Sequence, residues 1–219
     1  MLPFDDDAFF AVFRAYNAAI WPTQILAYVL GAIAVGLTLR PHPMSDRIIS
    51  GIIVALWAWT GVAYHWAFFS SINPIARLFA ILFVIQAGLL AYDGMVRKRL
   101  AFGWRGGIAA PAGLFFIAYA AMLYPLFGGW TGHVYPDAPT FGLTPCPLTI
   151  FTFGLLLLTS GRTPKLLLAI PLLWSAVGGS AAFLLGFKPD WMLPISGVIT
   201  AALLYARERA SGTSGRPKD

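Results

Sequence analysis

Polar residues are scarce along this chain and fall in clusters, so long apolar stretches alternate with short polar breaks. A helix needs about 20 apolar residues to cross a hydrocarbon layer of about 30 Å. The pattern predicts seven such spans: Thr23–Leu39, Ile48–Phe69, Pro74–Val96, Ile108–Phe127, Pro145–Ser160, Pro164–Phe187 and Trp191–Ala206. The fifth and seventh are short, so either is a half-span or begins among the headgroups. The expected fold is all-α, a polytopic membrane bundle of seven transmembrane helices preceded by a short interfacial helix. Residues 1–210 form one integral domain, and residues 211–219 form a polar, disordered tail.

Ahead of the first span, "MLPFDDDAFF" is acidic where a secretory signal would be basic. Asp5, Asp6 and Asp7 suit a helix start, where carboxylates cap free amides and complement the dipole. Phe9, Phe13, Tyr16 and Ile20 follow at helical spacing. This segment is expected to lie flat on the outer membrane surface until Pro22 starts the first span.

Composition agrees with a lipid solvent. Of 219 residues, 58% are hydrophobic and only 11% charged, against roughly 25% charged in soluble domains. The sign of the charges adds sidedness. Arg40, Arg47, Arg97, Lys98, Arg99, Arg105, Arg162, Lys165, Arg207, Arg209, Arg216 and Lys218 are twelve of the 15 basic residues, and all fall on one side of a seven-span chain. Only Arg14, Arg77 and Lys188 fall on the other. Cations retained in the cytoplasm set topology, so the N-terminus is expected outside and the C-terminus inside. The net charge of +6 therefore points to topology and anionic lipid, with no nucleic-acid partner.

The longest loop, Gly128–Thr144, carries no Lys or Arg and is expected outside. It leads into "TPCPLTIFTFG", which holds the only cysteine. Thr144 reads as N-cap, Pro145 as N1 and Pro147 as N3, so two amides that a helix start leaves orphaned are absent. The amides of Cys146 and Leu148 remain as free donors. One cysteine excludes an intramolecular disulfide. Cys146 at this position is either a small apolar filler or a pre-aimed soft contact at a positive helix end.

Ionisable groups inside spans are candidates for function. His65 and Arg77 lie at similar depth on adjacent helices, so His65 is expected neutral, and Arg77 needs a partner among Asp137, the Asp5–Asp7 cluster and backbone carbonyls. His65, Asn73, Arg77, His133, Asp137 and Cys146 collect at the outer rim. They read either as a hydrogen-bonded rim or as a site, with His65, His133 and Cys146 as weak metal candidates lacking any local ligand spacing. Trp59 and Trp66, seven apart, read as packing or as a wall for a flat apolar ligand. Asp93 is placed to pair with Arg97. Gln86, Tyr119, Thr152, Ser175 and Ser196 lie near mid-depth without a carboxylate, which counts against proton-coupled carriage. Pro171, Gly178, Gly179 and Pro194 are candidate breaks in the last two spans.

"YHWAFFSSINPIARLF" (Tyr64–Phe79) and "GHVYPDAPTFGLTPCPLTIFTFGLLLL" (Gly132–Leu158) resemble an uncharacterised family of polytopic bacterial inner-membrane proteins, with a signature of the form YHWxFF…NPxAR and GHxYPxxPxFGLTPCPxTIFTFG. The resemblance covers most of the chain and implies a multi-span protein, with no activity or cofactor to carry over. Retinal proteins fit worse, because the last span has no lysine. Ceramidase-type hydrolases need more histidines, and Pro-Cys thiol relays need a second cysteine.

The expectation from sequence is thus a non-enzymatic bacterial inner-membrane protein. It would bind or pass a small molecule through an outward vestibule lined by His65, Arg77, His133, Asp137, Cys146, Trp59 and Trp66. An accessory subunit without ligand and a metal-dependent membrane enzyme are the alternatives.

Overall fold

Asp5 starts the first helix, its carboxylate accepting the Ala8 amide at 2.9 Å. The computed structural model describes residues 4–104, 106–160 and 162–213. Helix α1 is Asp6–Ala19 and α2 is Thr23–Leu39, with a bend of 86° between them. There follow α3 (Ser45–Ser71), α4 (Ala76–Val96), α5 (Ala109–Trp130), α6 (Pro145–Leu157), α7 (Leu166–Leu184) and α8 (Met192–Thr213). A short 3-10 turn, Lys188–Trp191, joins α7 to α8. Strands β1 (Ala101–Phe102) and β2 (Thr159–Ser160) make one antiparallel ladder.

Each predicted apolar span is a helix. Four of them, α3, α4, α5 and α7, are long and apolar enough to cross a membrane, and α1 with α2 makes a fifth candidate as a bent pair. α8 is long but carries Arg207, Glu208 and Arg209 in its second half. It also runs on to Thr213, so the expected tail begins as helix; residues 214–219 lie outside the described residues. Around the bundle, Ile25, Leu26, Val29 and Ile33 of α2, Ile81, Val84 and Ile85 of α4, and Ile195 and Val198 of α8 are each more than 40% exposed. An apolar surface that broad marks contact with lipid or protein rather than water.

α6 is the exception: every residue from Pro145 to Leu157 is buried. A helix apolar all round must be enclosed on all sides, and α5, α7, α8 and α3 surround it. The closest approach is to α5, where a Cβ on Gly154 would stand 2.7 Å from the Gly113 carbonyl oxygen. Small residues at such crossings let backbones touch.

Two helices change pitch. α3 is π-helical over Thr60–Phe68 and α5 over Tyr119–Leu123. A π turn brings residues five apart onto one face, since its bonds run i to i+5. Tyr119 and Tyr124 are thereby both turned inward. Tyr64 and His65, adjacent in sequence, are both buried.

The two ends differ. At one, the Phe102 amide donates to Asp46 at 2.7 Å and the β ladder joins the α4–α5 and α6–α7 connections. Arg207 donates to the Thr159 carbonyl and to Thr163, while Glu208 pairs with Arg162 and Lys165. Asp93 pairs with Arg99 at 3.1 Å, not Arg97, which instead donates to Tyr92 within its own turn. The π turn Tyr92–Val96 moves Arg97 off the α-helical i+4 position. The basic residues of the expected inner loops thus share one end; Arg105, Arg216 and Lys218 lie outside the described residues.

The opposite end is aromatic. α1 does not simply float there: it buries Val12, Phe13, Tyr16 and Asn17. Asn17 donates to the Pro136 and Ala138 carbonyls and accepts from Thr140, and Tyr16 donates to the Leu143 carbonyl at 2.7 Å. α1 therefore fastens the 131–144 segment to the bundle. Its apolar face is used by protein rather than by headgroups.

Replacing Gly154 by Ala sets a methyl against a backbone oxygen that cannot move aside. Overpacking of this kind costs about 1–3 kcal/mol. Gly88→Ala on α4 meets nothing within 4 Å and is expected neutral or slightly stabilising. Thermal unfolding of the two purified variants in detergent checks the contrast; equal midpoints would contradict the close crossing.

Candidate functional site

Thr144 has the extended backbone of an N-cap, with φ −121° and ψ 152°, but its hydroxyl donates back to the Thr140 carbonyl instead of capping. Its amide also bonds to the Thr140 carbonyl, and the Leu148 amide bonds to the Thr144 carbonyl. Leu148 is therefore not a free donor, contrary to expectation, because as the fourth helical residue it closes the first turn. With prolines at 145 and 147, Cys146 alone keeps an uncommitted amide in that turn. The Pro-Cys-Pro start is how this helix begins inside protein with almost no orphan donors.

Above this start lies a cavity of about 640 Å³. α1 roofs it with Phe9 and Phe13. Tyr64 of α3 and Trp174 of α7 form walls, and Cys146 and Asp190 form the floor. The lining is otherwise almost wholly apolar. Ligand sites have this character: apolar walls with a few placed polar groups.

Asp190 is the charged group of that floor. It sits in the Lys188–Trp191 turn and is only 4% exposed. Tyr124 donates a short hydrogen bond to its carboxylate, and Tyr119, on the same π-shifted face, donates to the neighbouring Pro189 carbonyl at 2.9 Å. The Cys146 thiol faces the same carboxylate, placing it at the N-terminus of α6, where the dipole favours an anion. Burial nonetheless dominates and pushes the Asp190 carboxyl up to about 7, with the Tyr124 and Cys146 contacts opposing the rise.

Two buried polar groups beside the cavity lack partners. The indole N–H of Trp174 has no acceptor at good hydrogen-bond geometry; its one polar neighbour is the Cys146 sulfur, a weak acceptor. Both ring nitrogens of His65 are likewise unpaired. His65 is enclosed by aromatic rings, edge-to-face with Phe83 at 4.6 Å and Trp174 at 5.0 Å. Weak N–H to ring contacts are what such a cage offers.

Of the residues expected to line a vestibule, Cys146 does so and the others do not. His65 points into the bundle behind Trp174. Arg77 is exposed and stands over Trp66, 5.9 Å from the ring centroid. Among the described residues no carboxylate pairs with it, and Asp137 forms a two-pronged pair with Arg14 at 2.6 and 2.7 Å. That pair draws the Asp137 carboxyl below its usual range. His133 stacks on Phe10 at 4.0 Å and meets Phe187 edge-on at 5.3 Å. Trp59 donates to the Tyr16 hydroxyl at 3.0 Å, while Trp66 is half exposed. The π segment beginning at Thr60 breaks the seven-residue repeat that would put Trp59 and Trp66 on one inward face. Trp57 is the buried one, donating to Thr152 at 2.9 Å.

His65, His133 and Cys146 do not converge, and among the described residues no three His, Cys, Asp or Glu side chains come together that could hold a metal. Gly178 and Gly179 do not break α7. They let it approach α8, where a Cβ on Gly179 would meet Pro194 at 2.9 Å, and α7 continues through Pro171.

Asp190 and Trp174 are the residues sequence reasoning missed. The available signal was an acid in "FKPDW", between two apolar helices, with Lys188 as the only cation close by.

The raised carboxyl of Asp190 makes stability depend on pH. Its ordinary value is 3.8 and its folded value about 7, so between these the folded state holds a proton that the unfolded chain releases. This contribution is full below about 4 and is lost as pH rises through 7. Tyr124 and Tyr119 of α5, Cys146 of α6, Tyr64 of α3 and nearby Lys188 are its titratable neighbours. The melting temperature of the wild type is expected to fall over this range. Asp190→Asn should flatten the fall, and an unchanged slope would refute the assignment.

No curated protein and no solved structure matches this chain. A family model does, over residues 6–214, and by that match the chain belongs to the family of unknown function DUF6064.

Proposed function

We propose that this is a seven-span protein of the bacterial inner membrane, with its amino end and cavity outside and its carboxyl end in the cytoplasm, and that it binds a small, mainly apolar molecule in the cavity. The clustering of cations at one end supports the orientation, because positive charge stays cytoplasmic. α6, α8 and the bent α1–α2 pair supply the three crossings beyond the four helices that are long and apolar enough.

The observation that carries the binding reading is the cavity of about 640 Å³ with a buried carboxyl at its floor. A carboxyl out of water is costly unless something offsets it. A fold that keeps one beside an open apolar space, together with an unpaired indole N–H, has a site prepared for a polar head. Below the floor, α6 fills the axis on every side. This favours binding over passage.

Orientation is tested by a reporter active only outside the cytoplasm, inserted after Gly132. It should be active, and a silent reporter in a stably inserted protein would overturn the sidedness. Binding is tested with the neutral dye N-phenyl-1-naphthylamine. The purified protein should bind it saturably, and Val177→Trp, which fills the cavity, should weaken binding at least tenfold. Equal binding by the two would sink the reading.

A further inference from the structure

The cavity reaches the surface between α4 and α7. Ile75 and Leu78 on one side and Leu173 on the other are 53%, 51% and 48% exposed while also lining the space, and Asn73 and Ser180 line it nearer the aromatic end. The water-facing side is roofed by Phe9 and Phe13 of α1. A slit with apolar rims at the height of the helices admits molecules from the hydrocarbon layer more readily than from water.

The polar groups at the far end restrict the head. The Asp190 carboxylate accepts, and the Trp174 indole, 7% exposed and unpaired, only donates. A carboxylate or phosphate head would meet Asp190 at close range with no lining Lys or Arg to offset it, since Arg77, Arg14 and Lys188 do not line the cavity. An ammonium head would satisfy Asp190 but leave the indole N–H unpaired and bring its own N–H groups into an apolar space. A hydroxyl does both tasks: it donates to the carboxylate and accepts from the indole. Resting on the binding reading above, we infer that the ligand is an uncharged, lipid-soluble amphiphile with a hydroxyl head, which slides in between α4 and α7 and seats its head on Asp190 and Trp174. The volume fits one drug-sized molecule, hence a single chain more readily than two.

Cys146 is the only cysteine of the chain and lines the floor, so its alkylation reports occupancy at that spot alone. The protein, reconstituted in lipid nanodiscs at pH 8, is treated with N-ethylmaleimide and followed by intact mass. 1-Dodecanol, dodecanoate, dodecylamine and dioctanoylglycerol are added at equal concentration. Dodecanol should slow labelling at least tenfold, with dodecanoate and dodecylamine within twofold of no addition. Protection is expressed as the ratio with and without probe in each variant. That ratio should drop at least fivefold in Asp190→Asn and in Trp174→Phe, while Leu78→Trp at the slit should slow labelling without any probe. Dioctanoylglycerol protecting better than dodecanol would also support the hydroxyl head and name a glycerolipid as its source. Dodecanoate or dodecylamine protecting best, or variants that keep full protection, would overturn the head assignment while leaving a binding cavity in place. Protection by no probe, or a thiol that labels only after denaturation, would overturn the binding reading itself.

Discussion

α6 has no polar side, so it can only be placed where other helices cover it completely. Its thirteen residues rise about 20 Å at 1.5 Å each, whereas the hydrocarbon layer is about 30 Å deep. Its C-terminal end is held at the basic end by the β1–β2 ladder. In the seven-span arrangement proposed above, the deficit of roughly 10 Å falls at the aromatic end. The cavity, the folded 131–144 segment, the Lys188–Trp191 turn and the bent-over α1 all occupy the depth that α6 leaves unfilled.

Filling that depth with irregular chain brings backbone polar groups into a dry region, where each needs a partner. Asn17, Tyr16 and Tyr119 supply side-chain donors to the Pro136, Ala138, Leu143 and Pro189 carbonyls. The π turn in α5 is what delivers Tyr119 and Tyr124 together to the Lys188–Trp191 turn; an α-helical register would rotate one of them away. Asp190 is thus held by a distortion in a neighbouring helix, and its contact with Cys146 follows from where α6 begins.

The positions of the helices were legible in the sequence because lipid demands long apolar runs, and nothing else in the chain provides them. α2 matches its predicted bounds, Thr23–Leu39. The clustering of basic loops was legible for the same reason. What was not legible is rotation about the helix axes. Amphipathic stripes reveal an inward face only when the other face meets water; here both faces are apolar, so Trp57 and Trp59 look alike although one is buried and the other exposed. The π segments shift the phase again, which is why Trp59 and Trp66, read as packing or as a ligand wall, both lie outside the cavity. Pairing of charges was not legible either: Arg77 was expected to find a partner among Asp137, the Asp5–Asp7 cluster and backbone carbonyls, but α1 brings Arg14 across 123 positions to Asp137, and no local spacing foretells such a contact.

Asp190 and Arg77 separate two ways in which a membrane protein keeps a charge. Arg77 is long enough to hold its guanidinium at the surface while its stem and Trp66 share apolar contact, so it needs no counter-ion. Asp190 is short and cannot reach out; it is fixed by its turn beneath α1, and only the phenol, the thiol and the helix dipole are there to stabilise it. Burial still outweighs them, as its raised affinity for a proton shows. A site meant only to hold the fold together gains nothing from a carboxyl in that position, because an apolar residue packed there would cost less. On the binding reading proposed above, the acid has its rationale in what the open space beside it receives. The same reading would give the indole N–H of Trp174 the acceptor it lacks.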